Sequence, residues 1–101
     1  MARVAKKVPN QMERYLAELY KVLSDLSPKE TEQLLNDLLT PMEAKMLAKR
    51  VEIAKMLLTG RKYHEIEKAL NVQRTTIARV RLNLTLSPTK SLEKAAVKLP
   101  R

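Results

Sequence analysis

The segment YHEIEKALNVQRTTIARVRLNL, residues 63–84, has the pattern of two short helices joined by a tight turn. A helix-turn-helix requires five apolar residues: two on its first helix, one in the turn and two on its second helix. Those positions are occupied by Ile66, Leu70, Val72, Ile77 and Val80. The segment therefore predicts a helix-turn-helix whose second helix keeps its outer face free.

Two residues near the turn test this interpretation. Asn71 stands where the turn usually needs a left-handed backbone, which Asn tolerates better than most residues. Glu67 departs from the pattern, because a small residue commonly stands at that position against the second helix. The turn favours the helix-turn-helix, and Glu67 is its one irregular position.

The outer face of the second helix carries side chains suited to DNA. Arginine can bond a guanine edge bidentately, Asn and Gln suit adenine, and Thr offers a hydroxyl and a methyl group. The predicted DNA-contacting residues on or just before this helix are Gln73, Arg74, Thr75, Thr76, Arg79 and Asn83. The basic residues Arg61, Lys62 and Lys68 complete the predicted set, Arg61 and Lys62 as phosphate contacts. The alternative is that this face is only the solvated side of an amphipathic helix.

The positive charge lies mainly on and after the helix-turn-helix. Residues 1–59 contain ten Lys or Arg and eight Asp or Glu, whereas residues 60–101 contain ten and three. The net charges of the two parts are therefore +2 and +7, out of +9 for the chain. Charge alone indicates a polyanionic partner and does not distinguish DNA from RNA or a membrane surface.

Composition narrows the class of protein further. The 101 residues include no Phe, Trp or Cys, so the core must be built from Leu, Ile, Val, Ala and Met. No stretch approaches the length of a membrane span and no signal-peptide pattern opens the chain, so a cytoplasmic protein is expected.

His64 is the only histidine, and no nucleophile or metal-ligand cluster accompanies it. We expect no enzymatic activity, no catalytic residue, no metal and no cofactor.

The chain is expected to form one all-α domain with four parts. These are a basic flexible arm at 1–9, a helical dimerisation region at 10–60, the helix-turn-helix unit at 61–86, and a basic tail or short helix at 87–101. Seven apolar residues along the first helix exceed what a small monomer needs. This surplus predicts a partner subunit, and we expect a homodimer.

Three helix starts are marked by capping signals. Asn10 with Glu13, Ser27-Pro28 with Glu30, and Thr40-Pro41 each provide an N-cap pattern. The first of these helices is predicted to run from Asn10 to Leu26, and the third from Thr40 to about Thr59, followed by Gly60 as a C-terminal cap.

Arg50 lies in the middle of the apolar stripe of the third helix. An arginine in that position must reach solvent, form an internal pair, or bind a ligand or phosphate.

From Leu38 onward the order of signals resembles the Trp repressor superfamily. It comprises L-L-T-P, a long helix with R-V-x-I, then L-L-x-G, and a helix-turn-helix ending T-I-x-R, over roughly residues 38–84. The resemblance implies an all-helical dimer with interlocked N-terminal helices. It also implies that two helix-turn-helix units lie about one turn of DNA apart.

The same resemblance implies an effector pocket. In tryptophan-binding members two arginines hold the indole ring, and by motif they correspond to Arg50 and Arg79; Leu39 and Thr40 complete the candidate pocket. This chain has Val80 where those members have Gly, and Asn83 where they have a pocket Ser. We therefore expect that any small-molecule effector is not tryptophan.

The resulting hypothesis is a homodimeric, sequence-specific transcriptional regulator, acting as a repressor on double-stranded operator DNA. The alternative is a small helix-turn-helix adaptor that binds RNA or a protein partner. An adaptor would show no preferred duplex, so sequence-dependent DNA affinity separates the two.

Overall fold

A computed structural model describes residues 10–98 as six α-helices with no strand among them. The helices are α1 (Gln11–Ser24), α2 (Pro28–Leu38), α3 (Pro41–Leu58), α4 (Tyr63–Leu70), α5 (Arg74–Leu86) and α6 (Ser91–Ala96). The predicted all-α class is confirmed. The arm predicted at residues 1–9 lies outside the described residues.

The helix starts follow the capping signals. The Asn10 side chain accepts from the Glu13 N–H at 2.8 Å, and the Glu13 carboxylate accepts from the Asn10 N–H at 3.1 Å. The same reciprocal pair joins Ser27 to Glu30 and Thr40 to Glu43. Each pair satisfies backbone donors that the first turn of a helix leaves without an intrahelical partner.

The first helix ends two residues earlier than the predicted Leu26. The N–H of Asp25 donates to the Val22 carbonyl, and that of Leu26 donates to the Leu23 carbonyl. These bonds tighten the last turn and end α1 at Ser24, immediately before Ser27 begins to cap the next helix.

The end of α3 explains the single glycine of the chain. The Arg61 N–H donates to the Met56 carbonyl and the Gly60 N–H donates to the Leu57 carbonyl, which is the Schellman pattern. Gly60 has a φ of +86°, in the left-handed region. No atom lies within 4 Å of a Cβ built there, so the backbone conformation and not space favours glycine.

The chain divides into two compact units, residues 1–38 and residues 39–101. In the second unit α3 packs against α4, α5 and α6. Its buried core consists of Ile53, Ala54, Met56, Ile66, Ile77, Val80 and Ala96. The described part of the first unit holds α1 and α2, and neither helix contains a buried residue.

The core explains why Arg50 is exposed. The buried residues of α3 begin at Ile53, whereas Leu47, one turn before Arg50, is 45% exposed. Of the three possibilities for Arg50, the structure supports access to solvent, because its side chain does not enter the buried core.

Of the two alternatives expected for the C-terminal region, a basic tail or a short helix, the structure has a short helix. This helix begins at Ser91 and not at the start of the range 87–101 predicted for it, because Ser87 is the C-cap of α5 and Lys90 adopts a left-handed φ of +56° before the new helix. Ala96 is fully buried and α6 packs on α3. The four-part division of the chain remains a prediction.

Candidate nucleic-acid interface

The helices α4 and α5 form the helix-turn-helix on the five predicted apolar positions. Ile66 and Ile77 are fully buried, and Val80 is 2% exposed. Leu70 and Val72 are half-buried and pack against this core. Burial of these side chains fixes α5 against α4 and leaves the opposite side of α5 in solvent.

The turn between the helices has the expected left-handed residue. Asn71 has φ +54° and ψ +56°, and its N–H donates to the Glu67 carbonyl at 2.9 Å. Asn adopts this conformation more readily than other non-glycine residues. The turn therefore ends α4 and redirects the chain into α5.

Glu67 has a partner that accounts for its unusual position. Its Oε1 accepts from Arg74 Nη2 at 3.2 Å and its Oε2 accepts from Arg74 Nε at 3.5 Å. The Arg74 guanidinium also lies 5.4 Å from the centroid of the Tyr63 ring. Because the carboxylate reaches the first residue of α5, Glu67 is accommodated where a small residue is usual.

The predicted DNA-contacting residues of α5 divide into two groups. Thr75, Arg79 and Asn83 are exposed and Thr76 is half-buried. All four line the same cleft and therefore share one side of the helix. Arg74 is drawn away to Glu67 and Tyr63. Gln73 is the N-cap of α5 and its side chain makes no capping bond.

The electrostatics of α5 favour an anion. The helix contains three arginines and no acidic residue. The N-terminus of a helix carries partial positive charge and unpaired N–H groups, and here no capping side chain occupies them. A phosphate can therefore approach this end of α5.

Arg50 and Arg79 line one cleft, of about 340 Å³. Its other lining residues are Thr75, Thr76, Val80 and Asn83. Val80 is both a wall of this cleft and a member of the core, as its 2% exposure requires. The structure thus brings the two arginines together.

The other two candidate pocket residues do not line this cleft. Leu39 lines an adjacent cleft of about 320 Å³ that also contains Arg50. Thr40 is engaged as the N-cap of α3, where its hydroxyl accepts from the Glu43 N–H at 3.2 Å. The cleft shared by Arg50 and Arg79 is therefore lined by α3 and α5 alone, among residues 10–98.

The predicted basic contacts lie around α4. Arg61 Nε is 3.5 Å from Glu65 Oε1, Lys62 is the N-cap of α4, and Lys68 is exposed in its last turn. The Lys62 backbone N–H donates to the Glu65 carboxylate, and this bond, helped by the nearby Arg61 charge, lowers the pKa of Glu65. Because the pKa is lowered, the stabilisation of α4 by this cap is present at neutral pH and is lost as the pH falls through the lowered value.

Tyr63 lies beside Arg74 and was not among the residues predicted for the site. Tyr63 is half-buried against the core. Two guanidinium groups lie near its ring, that of Arg74 and that of Arg81, the latter at 6.0 Å from the ring centroid. The irregular Glu67 was the available signal, because an acidic residue at that position needs a cation nearby.

No helix among residues 10–98 has the length and apolar composition needed to cross a membrane. The same residues contain no group of three or more His, Cys, Asp or Glu side chains placed to hold a metal ion.

A buried helix-turn-helix core with an exposed, basic second helix is the arrangement of DNA-binding regulators. Residues 13–95 match the family described as Trp repressor protein, so the chain belongs to the Trp repressor family. This is a family of helix-turn-helix DNA-binding regulators and not of enzymes. The resemblance found from the sequence is thereby confirmed.

A curated relative is the uncharacterized protein YerC of Bacillus subtilis (strain 168), 38% identical over 60 residues. The aligned part covers 59% of this chain and 58% of YerC, which is less than two thirds of that relative's length. No solved structure matches the chain.

Proposed function

We propose that this protein is a sequence-specific transcriptional repressor that binds double-stranded operator DNA as a homodimer in the cytoplasm. The observation that carries the proposal is α5. This helix buries Ile77 and Val80 while it exposes a face of Thr, Arg and Asn side chains without an acidic residue. Such a face matches the donors and acceptors of the major groove.

The distribution of charge supports a nucleic-acid partner over a solvated face without function. Residues 60–101 contain ten basic and three acidic side chains. Two of those acidic residues, Glu65 and Glu67, are engaged with Arg61 and Arg74, at 3.5 and 3.2 Å. Lys62, Lys68 and Arg79 make no ion pair with the described residues, so their charges remain available to phosphates.

The exposed apolar surface of α1 supports a homodimer. Six of its large apolar side chains are 37–62% exposed: Met12, Tyr15, Leu16, Leu19, Tyr20 and Val22. Burying such side chains is the main favourable term in stable protein association. A second copy of the chain would cover this surface and would place two α5 helices on one DNA duplex.

Selection of bound sequences from a random duplex pool tests the proposal. We expect enrichment of a two-fold symmetric site whose half-sites are roughly 10 base pairs apart. Binding by anisotropy should then favour the selected duplex over random duplexes by about 10³-fold or more. Equal affinity for all duplexes would contradict the proposal and would favour the adaptor that binds RNA or a protein.

Removal of Arg61 or Lys62 is expected to weaken binding to all duplexes alike. Both residues are exposed beside the start of α4 and line a different cleft from Thr75, Arg79 and Asn83 of α5, so we assign them to phosphates. Each alanine substitution should reduce the slope of log Kd against log salt by about one unit. Lys29→Ala, an exposed lysine of α2, is the control and should leave the slope unchanged. A change in the preferred sequence with the slope intact would reassign the residue to base contact.

DNA binding is expected to be independent of tryptophan. Val80 places two methyl groups beside Arg79 and is held in the core, so Arg79 is free to face DNA. Arg79→Ala should weaken operator binding by about 1–3 kcal/mol, the scale of a specific base contact. Titration with tryptophan should change neither the DNA affinity nor the melting temperature.

The opposite result for tryptophan would identify an effector site. If tryptophan tightened operator binding, and Arg50→Ala and Arg79→Ala both abolished that effect, the cleft between α3 and α5 would be a tryptophan pocket.

A further inference from the structure

Arg74 differs from the other predicted DNA-contacting residues because its guanidinium contacts two side chains of α4. It is the first residue of α5, and its guanidinium is bonded to Glu67 through Nε and Nη2. The guanidinium also lies 5.4 Å from the centre of the Tyr63 ring. Both partners belong to α4, so the first helix of the motif sets the direction of an arginine on the second.

The contact with Glu67 uses only one edge of the guanidinium. Each carboxylate oxygen accepts from a different nitrogen, Oε2 from Nε and Oε1 from Nη2. A guanidinium has five N–H donors in a rigid plane. Its end edge is formed by one hydrogen of Nη1 and the second hydrogen of Nη2. The contact with Glu67 leaves both of these donors free. The Arg74 side chain is 61% exposed, and this edge can therefore meet a ligand.

The free edge has two parallel donors, which fit the O6 and N7 acceptors of a guanine. A phosphate also accepts such a pair, but a mobile arginine is sufficient for a phosphate. An arginine whose guanidinium contacts both a carboxylate and an aromatic ring loses less rotamer freedom on binding and is more selective in direction. The position also fits, because the N-terminal residues of the second helix contact base edges in this motif.

We propose that Glu67 is a positioning residue that, with Tyr63, aligns Arg74 to read a guanine at one defined base pair in each half-site. This inference rests on the proposed DNA-binding function and adds to it a residue pair that determines specificity. It assigns to the irregular Glu67 of the helix-turn-helix a role in recognition through Arg74.

Affinities of four full-length proteins for the selected operator and for its single-base-pair variants test this inference. The proteins are the wild type, Arg74→Ala, Glu67→Gln and the double variant. Arg74→Ala should weaken operator binding by about 5- to 150-fold and abolish the preference at one G·C base pair. Glu67→Gln should reduce the preference at the same base pair by about three- to tenfold, and should have no further effect when Arg74 is already Ala.

The sign of the Glu67→Gln effect separates positioning from simple charge. Removing a carboxylate near DNA should tighten binding to every duplex by electrostatics alone. Positioning instead predicts that the ratio of the affinity for the operator to the affinity for one single-base-pair variant falls. Uniformly tighter binding with the ratio intact at every base pair would overturn the inference.

Arg81→Ala provides a matched control for Arg74→Ala. Its guanidinium also contacts the Tyr63 ring, at 6.0 Å, but it has no ion pair with the described residues. We expect Arg81→Ala to leave the base preference unchanged. If Arg74→Ala likewise weakened all duplexes equally, Arg74 would be a phosphate contact and the inference would be wrong.

The result also shows which hypothesis fails. A wild-type protein without any preferred duplex would refute both the DNA-binding proposal and this inference. A wild type that selects a defined operator, together with a Glu67→Gln protein of unchanged selectivity, would refute the inference alone. Thermal melting followed by circular dichroism sets a temperature at which these four proteins and the Arg81→Ala control are all folded.

Discussion

Leu16→Asp combined with Leu19→Asp is expected to convert the proposed homodimer into monomers and to abolish its high-affinity binding to the proposed operator. Each leucine contributes roughly 1.5–3 kcal/mol when fully buried, and two-fold symmetry doubles every substitution. Leu16 and Leu19 are only 39% and 37% exposed within one chain, so dimerisation can bury no more than that share. The loss for four leucines is therefore about 2–5 kcal/mol, which corresponds to a weakening of dimerisation by roughly 30-fold or more, and burial of the new carboxylates adds to it. Analytical ultracentrifugation and DNA binding by anisotropy measure the two effects.

Ala17→Asp is the matched control for this double variant. Ala17 is exposed on the same helix but lies about 130° from the centre of the apolar stripe on an ideal wheel. The Ala17→Asp substitution introduces the same side chain outside the proposed interface and should leave the protein dimeric. A Leu16→Asp/Leu19→Asp protein that remained dimeric and bound its operator normally would show that another surface joins the subunits.

Val80→Gly is expected to destabilise the folded protein by about 2–4 kcal/mol. Val80 is 2% exposed, so its replacement removes buried apolar surface and leaves a cavity between α5 and the core. Glycine inside a helix adds about 1 kcal/mol. Urea unfolding followed by circular dichroism measures the change in the free energy of unfolding.

Ala78→Gly separates the two contributions. Ala78 is exposed two residues earlier on α5, so this substitution carries the helix penalty of about 1 kcal/mol without loss of core packing. If Val80→Gly were no more destabilising than Ala78→Gly, Val80 would not be a core residue. The family position that holds glycine in tryptophan-binding members would then be free for a ligand in this chain as well.

The buried and exposed faces of the candidate site were predictable from the sequence, because they depend on the periodicity of residues close together in the chain. The apolar periodicity of residues 63–84 placed Ile66, Ile77 and Val80 in the core, where they are buried. The same periodicity placed Thr75, Arg79 and Asn83 together on the exposed side of α5. Whether these residues contact DNA remains a prediction.

Side-chain partners across the turn were not predictable in this way. Glu67 and Arg74 are seven residues apart, and their contact depends on the angle at which α5 leaves Asn71. Tyr63 meets Arg74 and Arg81 for the same reason. Helical spacing within either helix does not describe such contacts, because each partner lies on a different element.

The sequence by itself determined the starts of α1, α2 and α3, the left-handed turn at Asn71 and the end of α3 at Gly60. These features depend on capping and backbone preference, which act within a few residues. Tertiary structure decided that Ala96 is buried against α3. It also brings Arg50 and Arg79 into one cleft, which the family resemblance implied but the periodicity of either helix did not. The residues of each such pair are far apart in the chain. Their meeting depends on how whole helices pack, which the local pattern around either residue does not contain.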